Sequence, residues 1–336
     1  MRVTLDRRRF NALLLLGAGT LAQGAKATAA ASPFVTADFD WVDPARERPV
    51  PVRLYWPTAA SSPGSVPLVV FSHGIGGSRQ GYSYLGRHWS AHGVASLHVQ
   101  HIGSDAALWR GNPFGVVGRL QAAAQESEAL ARAGDVRFAL EQMLSGATGD
   151  HGAFVDRERL VAAGHSYGAN TTLLAVGAQV VRNGRTLDCR DPRFSSAVVI
   201  SAPPFYGERD LPAVLGGIAV PTVHVTSTQD VIHIPGYRSE VADRLAIYEA
   251  VAHPRKLLAV FRGGSHSMFT DRSLTGGAAL NAKVKAATAD LALAFMDLAY
   301  AGDGAALSRW QAHWQSVLAH PPAGGLVPVA RSAPAG

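Results

Sequence analysis

Leu160-Val161-Ala162-Ala163-Gly164-His165-Ser166-Tyr167-Gly168-Ala169-Asn170-Thr171-Thr172-Leu173-Leu174 runs from an apolar stretch through Gly-x-Ser-x-Gly into a helix-forming segment. The short apolar run suits a strand buried on both faces. A turn tight enough to link it directly to a helix needs nearly side-chain-free residues on either side of Ser166. Glycine also adopts backbone angles that a Cβ forbids. The strand–turn–helix context lifts the serine hydroxyl clear of its own backbone, as a nucleophile requires. Tyr167 opens the helix, so its amide has no intrahelical acceptor and faces incoming negative charge.

The partners a serine needs stand further along the chain. Thr222-Val223-His224-Val225-Thr226 reads as a strand, and its exit, Ser227-Thr228-Gln229-Asp230-Val231-Ile232, places Asp230 at a strand's C-terminal end. Lys256–Phe261 reads as another strand, and the loop after it, Arg262-Gly263-Gly264-Ser265-His266-Ser267-Met268-Phe269, carries His266. Upstream, the apolar run Leu68–Phe71 leads into Ser72-His73-Gly74-Ile75-Gly76-Gly77-Ser78. This glycine-rich loop lacks Gly-Lys-Ser/Thr, so it does not read as a phosphate cradle. It fits the second half of an oxyanion hole, with the Ile75 amide opposite that of Tyr167.

The order Ser…Asp…His is that of the α/β-hydrolase fold, a mostly parallel central sheet with helices on both faces. Serine is a weak nucleophile until a base takes its proton. His266 is expected to be that base, and Asp230 to orient the imidazole and stabilise its charged form. His165 points the wrong way to act on its neighbour, and His73 is expected to brace the oxyanion loop. Asp188, Asp191 and Asp210 are rival acids, but none follows an apolar strand so directly. His98 and His101 have no carboxylate cluster beside them, so no metal is expected, and no organic cofactor.

Residues 1–31 read as an export leader. Asp6-Arg7-Arg8-Arg9-Phe10 resembles a twin-arginine signal, Ala12–Ala22 is an apolar stretch, and Ala29-Ala30-Ala31 offers a cleavage site before Ser32. The apolar stretch is too short to span a bilayer. Arg2, Arg7, Arg8, Arg9 and Lys26, against Asp6 alone, account for most of the formal +6. The remainder gives no electrostatic reason to expect a nucleic-acid or membrane partner. The mature protein is expected in the periplasm or outside a bacterial cell, with a small-molecule or polymeric partner as substrate. One cysteine, Cys189, rules out an intramolecular disulfide. Residues 32–320 read as one domain, and 321–336, rich in Pro, Ala and Gly, as a disordered tail.

Other elements follow from pattern. Val50–Pro57, Val94–Val99 and Ser195–Ile200 read as strands. Helices are expected over Tyr84–His92, Tyr237–Val251, Asn281–Tyr300 and Ala305–Leu318. A single long amphipathic helix is expected over Leu120–Leu144, with Asp135 and Arg137 as solvated or capping charges. Trp109, Phe114, Phe205, Tyr206, Met268 and Phe269 lie in loops at the sheet's catalytic edge and are the candidate substrate contacts. Tyr167, Met268 and Phe269, with Ile75, are expected to crowd the acyl half. The other four aromatics would form a broader wall for the leaving group.

Leu68–Ser78, Gly164–Gly168, Asp230 and Gly263–Phe269 together resemble the bacterial dienelactone-hydrolase-like and platelet-activating-factor acetylhydrolase-like members of the α/β-hydrolase superfamily. The elbow and the Gly-Gly-Ser-His loop are also similar to those of polyester hydrolases. Two departures stand out. True dienelactone hydrolases use cysteine where this chain has Ser166. The animal acetylhydrolases take their acid after an earlier strand, and the matching exit here, Ser201-Ala202-Pro203-Pro204, has none. The resemblance implies a serine carboxylic-ester hydrolase that forms an acyl-enzyme, with short-acyl esters as its expected substrates. A thioesterase or amidase would use the same residues, and a binding protein could share the fold but would not need all three.

Overall fold

Leu68 and Val70 turn to one side of strand β3 (Val66–Ser72), Val69 and Phe71 to the other, and all four are buried. That two-sided burial makes the strand apolar throughout, because a parallel sheet is covered by helices on both faces. The computed structural model describes residues 32–234, 237–271 and 277–325. The expected leader, 1–31, lies outside the described residues.

The chain begins with the antiparallel pair β1 (Phe34–Asp43) and β2 (Arg48–Pro57). After β3 come α1 (Ser83–Ala91), β4 (Ala95–Val99), α2 (Val116–Ala123), α3 (Glu126–Leu144), the one-turn α4 (His151–Phe154), β5 (Val155–His165) and α5 (Tyr167–Ala175). The hairpin β6–β7 (Gln179–Arg182, Arg185–Asp188) precedes β8 (Ser196–Ile200), α6 (Leu211–Leu215) and β9 (Thr222–Gln229). A second hairpin, β10–β11 (Ile232–Ile234, Tyr237–Ser239), leads to α7 (Val241–Ala250) and β12 (Lys256–Ser265). The chain closes with α8 (Ala278–Met296), α9 (Gly304–Trp314) and β13 (Ala323–Gly325).

Among the described residues the main sheet has nine strands in the order β1-β2-β4-β3-β5-β8-β9-β12-β13. The run from β4 to β12 is parallel, with antiparallel strands at both margins. Core residues of α3, α5, α6 and α7 cover one face, and those of α1, α8 and α9 the other. From β3 the chain steps one way to β4 and then back past β3 to β5. The carboxyl ends of β3 and β5 therefore flank a topological switch point, where open α/β sheets leave a crevice.

Four expectations need correction. The helix expected over Leu120–Leu144 is two helices, broken at an extended Gln125. Leu120 and Ala123 pack with Leu108 beneath the glycine loop, whereas Val136, Ala139, Leu140 and Met143 pack on the sheet. The extended Gln125 lets each helix turn its apolar face to its own target. Asp135 is neither solvated nor a cap. It is fully buried, paired with Arg48 at 2.8 Å and Arg46 at 3.0 Å, both from the β1–β2 side. The helix expected from Tyr237 starts at Val241, because Glu240 and Asp243 form a capping box that sets its first turn. The tail is ordered at its start, where Ala323–Gly325 pairs with Lys256–Leu258 of β12. Residues 326–336 lie outside the described residues.

Candidate active site

Ser166 sits between β5 and α5 at φ 56° and ψ −126°, a conformation few non-glycine residues adopt. The flanking glycines are required by close approach. A Cβ on Gly168 would lie 2.0 Å from the Ser72 carbonyl oxygen, and one on Gly164 would lie 2.2 Å from that of Gly168. The end of β3 and the start of α5 thus touch backbone to backbone, which puts the glycine loop beside the serine. The Ser166 amide donates to Ile200 O at 2.9 Å, anchoring the elbow on β8.

His266 arrives through a bulge. The β12–β9 register breaks between Phe261 and Ser265, where Gly263 (φ 70°) and Gly264 (φ 81°) take left-handed angles. Such a bulge re-aims the strand's end. The imidazole Nε2 lies 2.8 Å from Ser166 Oγ, and Nδ1 lies 2.8 Å from Asp230 Oδ1. Asp230 is wholly buried just past β9. Burial alone would raise its carboxyl. The His266 hydrogen bond, with contributions from Arg244 and Ser201, outweighs burial and holds it well below the usual carboxylate range. Asp230 Oδ2 accepts from Ser201 Oγ at 2.5 Å and Thr226 Oγ1 at 2.8 Å, and Arg244 stands 3.5 Å from Oδ1. The rival acids are engaged elsewhere. Asp191 pairs with Arg193, Asp188 accepts from the Arg190 amide, and Asp210 caps α6.

The other histidines brace this arrangement. Burial holds His165 far below its ordinary pKa, and it stays neutral. Its Nε2 faces the His266 carbonyl at 3.2 Å, so that nitrogen carries the proton, and Nδ1 accepts from Tyr82 Oη at 2.8 Å. Tyr82 Oη in turn accepts from the Gly74 amide at 3.2 Å, linking the glycine loop to the histidine loop. His73 Nε2 accepts from the His101 amide, so its Nδ1 donates to Gly74 O at 2.7 Å. Gly77 N donates to the same carbonyl at 3.0 Å. That carbonyl belongs to the peptide unit whose N–H is on Ile75, and two bonds to the oxygen polarise the amide as a donor. His98 lies between the rings of Tyr55 and Phe71, and His101 bonds Asp135 and Ser72.

Arg132 underlies both the glycine loop and the start of α5. Its wholly buried guanidinium donates to the His73 carbonyl, to Ser104 Oγ at 2.8 Å and to Thr171 Oγ1 at 2.9 Å. It also lies 4.5 Å from the centre of the Tyr167 ring. Burial pushes its pKa down to about 10, still charged at neutral pH, and pushes the Tyr167 phenol up to about 12.

A cavity of about 630 Å³ opens over Ser166 and His266. Ile75, Trp109, Tyr167, Phe205 and Tyr206 line it, and Leu120, Leu130 and Leu174 extend its apolar wall. Trp109 is fixed by a 2.8 Å bond from Nε1 to Gly76 O. Three expected contacts fall outside it. Phe114 is 93% exposed on a turn whose ring reaches solvent. Met268 and Phe269 are fully buried, because the 3₁₀ turn after His266 rotates them into the core beneath α8 rather than toward the serine. Sequence reading missed Ser201, Thr226, Arg244, Tyr82 and Arg132. Of these, Ser201 had a visible signal, a polar residue at the exit of the apolar strand next to the elbow.

Over residues 48–110 the sequence matches the family described as platelet-activating factor acetylhydrolase, isoform II. That span holds β2 to β4 and the glycine loop. No curated protein matches the chain. Among solved structures, it is similar to a ferulic acid esterase from Streptomyces cinnamoneus, with a TM-score of 0.57 and 21% identity over 83% of this chain and 93% of that one. The likeness establishes the α/β-hydrolase fold.

Proposed function

We propose that the protein is a serine carboxylic-ester hydrolase working through an acyl-enzyme. The observation that carries this reading is the unbroken line from Ser166 Oγ through His266 to Asp230, with 2.8 Å at each step. His266 Nε2 takes the serine proton as Oγ attacks the ester carbonyl, and the Ile75 and Tyr167 amides receive the oxyanion. The tetrahedral adduct collapses when His266 returns that proton to the departing alcohol. Water, activated by the same nitrogen, then frees the acid. The match to an acetylhydrolase family and the likeness to an esterase support an ester as the scissile bond. A fluorophosphonate probe and a p-nitrophenyl ester test it: both signals should vanish in Ser166→Ala, and undiminished labelling of that variant would end the assignment.

The finer reading is a short acyl group with a bulky alcohol side. The wall of Trp109, Phe205 and Tyr206 supports the roomy side, and Ile75 and Tyr167 remain to narrow the acyl side. Each methylene a pocket buries favours binding by about 0.8 kcal/mol. kcat/KM should therefore fall beyond butyrate, and a steady rise to dodecanoate would place the long chain in the cavity instead. Delivery is proposed to follow the twin-arginine route through the leader. Changing Arg7 and Arg8 together to Lys should stop export, and normal delivery would refute the route alone.

A further inference from the structure

Ser201 follows the last residue of β8 and is fully buried, at φ 53°. Glycine would hold that angle without a Cβ penalty, yet the position carries a hydroxyl. Its amide donates to Val225 O at 2.7 Å, which ties the residue to β9. The carbonyl just before it, Ile200 O, holds the Ser166 amide. Ser201 Oγ lies 2.5 Å from Asp230 Oδ2 and 2.8 Å from His266 Nδ1, whose other neighbour is Asp230 Oδ1 at 2.8 Å. Asp230 is acceptor-only when ionised, so the serine proton goes to the carboxylate and leaves its oxygen lone pairs facing the imidazole. The Nδ1–H of His266 thereby has two acceptors. Thr226 Oγ1 reaches the same carboxylate oxygen but has no bond to the imidazole.

We propose that Ser201 is a positioning residue for the proposed hydrolase, a second acceptor for His266 Nδ1–H that holds the ring in plane with Ser166 while its own proton fixes the Asp230 carboxylate. The inference rests on the ester-hydrolase reading for its kinetic consequence. When His266 carries both protons, the charge stays on the imidazolium, where the Asp230 carboxylate and the Ser201 oxygen stabilise it through Nδ1–H, and no proton leaves Nδ1. The role is carried by the hydroxyl and not by the backbone turn, which separates it from a merely structural serine.

The test compares Ser201→Ala and Ser201→Gly with the parent enzyme on p-nitrophenyl acetate. A lost hydrogen bond to a charged group predicts a kcat lower by about tenfold or more, with KM unchanged. Ser201→Gly relieves the left-handed angle, so it should melt higher than Ser201→Ala and still be slow. Thr226→Val should cost less than either. In an Asp230→Ala background the rate of Ser166 labelling by a fluorophosphonate should fall again on adding Ser201→Ala, because the hydroxyl is then the remaining Nδ1 acceptor. Independently of turnover, the downfield proton resonance of His266 Nδ1–H, identified by its loss in His266→Ala, should move in Ser201→Gly. A Ser201→Gly enzyme with parental kcat and an unmoved resonance, or no further loss in the Asp230→Ala background, overturns the proposal. Absent turnover and labelling in the parent overturns the ester reading instead, and the resonance still decides the position of Ser201.

Discussion

Arg132 places a full positive charge behind the Tyr167 ring and grips the carbonyl that leads into the glycine loop, with neutral groups accepting its hydrogen bonds. A buried cation is costly unless its surroundings compensate it, and an oxyanion forming between Ile75 and Tyr167 would add that compensation. Lysine keeps the charge but cannot span three acceptors at once. Arg132→Lys should therefore lower kcat by about tenfold or more with a smaller change in KM, measured beside a thermal melt that confirms folding. Asp230→Asn should be far more damaging than Asp191→Asn, since the latter touches only Arg193 and its surroundings. In a serine protease the analogous change costs about 10⁴-fold in kcat, and a crippled Asp191→Asn enzyme would contradict the assignment of the acid. Ser166, Asp230 and His266 were legible because each lies in a local pattern at the end of an apolar run. Arg132 and Asp135 were not, because a charge inside a helix looks the same in sequence whether it faces water or a partner 87 positions away.

At the scale of elements, the elbow and the glycine loop behave as one unit because α5 and β3 meet without side chains between them. Gly168→Ala would drive a methyl group into Ser72 O and force the two apart. Overpacking of a rigid contact costs about 1–3 kcal/mol or more. Because the displaced backbone carries the Tyr167 amide, activity should drop further than the loss in melting temperature accounts for. Equal activity per folded molecule would argue against a shared unit. The parallel strands were readable because each carries a continuous or alternating apolar run, even though Ser96, His98, Thr222, His224 and Thr226 are buried on them as well. The break between α2 and α3 was not, because the apolar spacing continues through Ala122, Ala123 and Ala124 and only the destinations of the two faces differ. The hairpins β6–β7 and β10–β11 lie off the main sheet and carry no long apolar run to announce them.

The molecule as a whole holds five histidines, His73, His98, His101, His165 and His224, buried and neutral, with burial the leading cause in each case. His98 and His224 are pushed down to about 3. The unfolded chain takes up these protons near pH 6.5, so below that pH it binds more protons than the folded one. Stability is therefore full above about 6.5 and is lost as pH falls toward 3, with each histidine adding up to about 1.4 kcal/mol per pH unit. Urea midpoints should be level from pH 8 to 7 and drop steeply between 6.5 and 4.5, and a level midpoint down to pH 5 would mean these rings protonate within the fold. The edge of the sheet at β12 has a separate consequence. Ala319 N bonds Val260 O, Leu318 bridges Phe261, and Ala323–Gly325 covers Lys256–Leu258, where Gly324 fits only for want of a Cβ. The opposite edge, β1, carries Asp38 and Asp40, charges that discourage strand pairing between molecules. Among the described residues, the returning chain is the cover of the β12 edge. A protein cut after Val317 would present a bare row of backbone donors and acceptors there, and it should self-associate on a sizing column at concentrations where the full chain elutes as before.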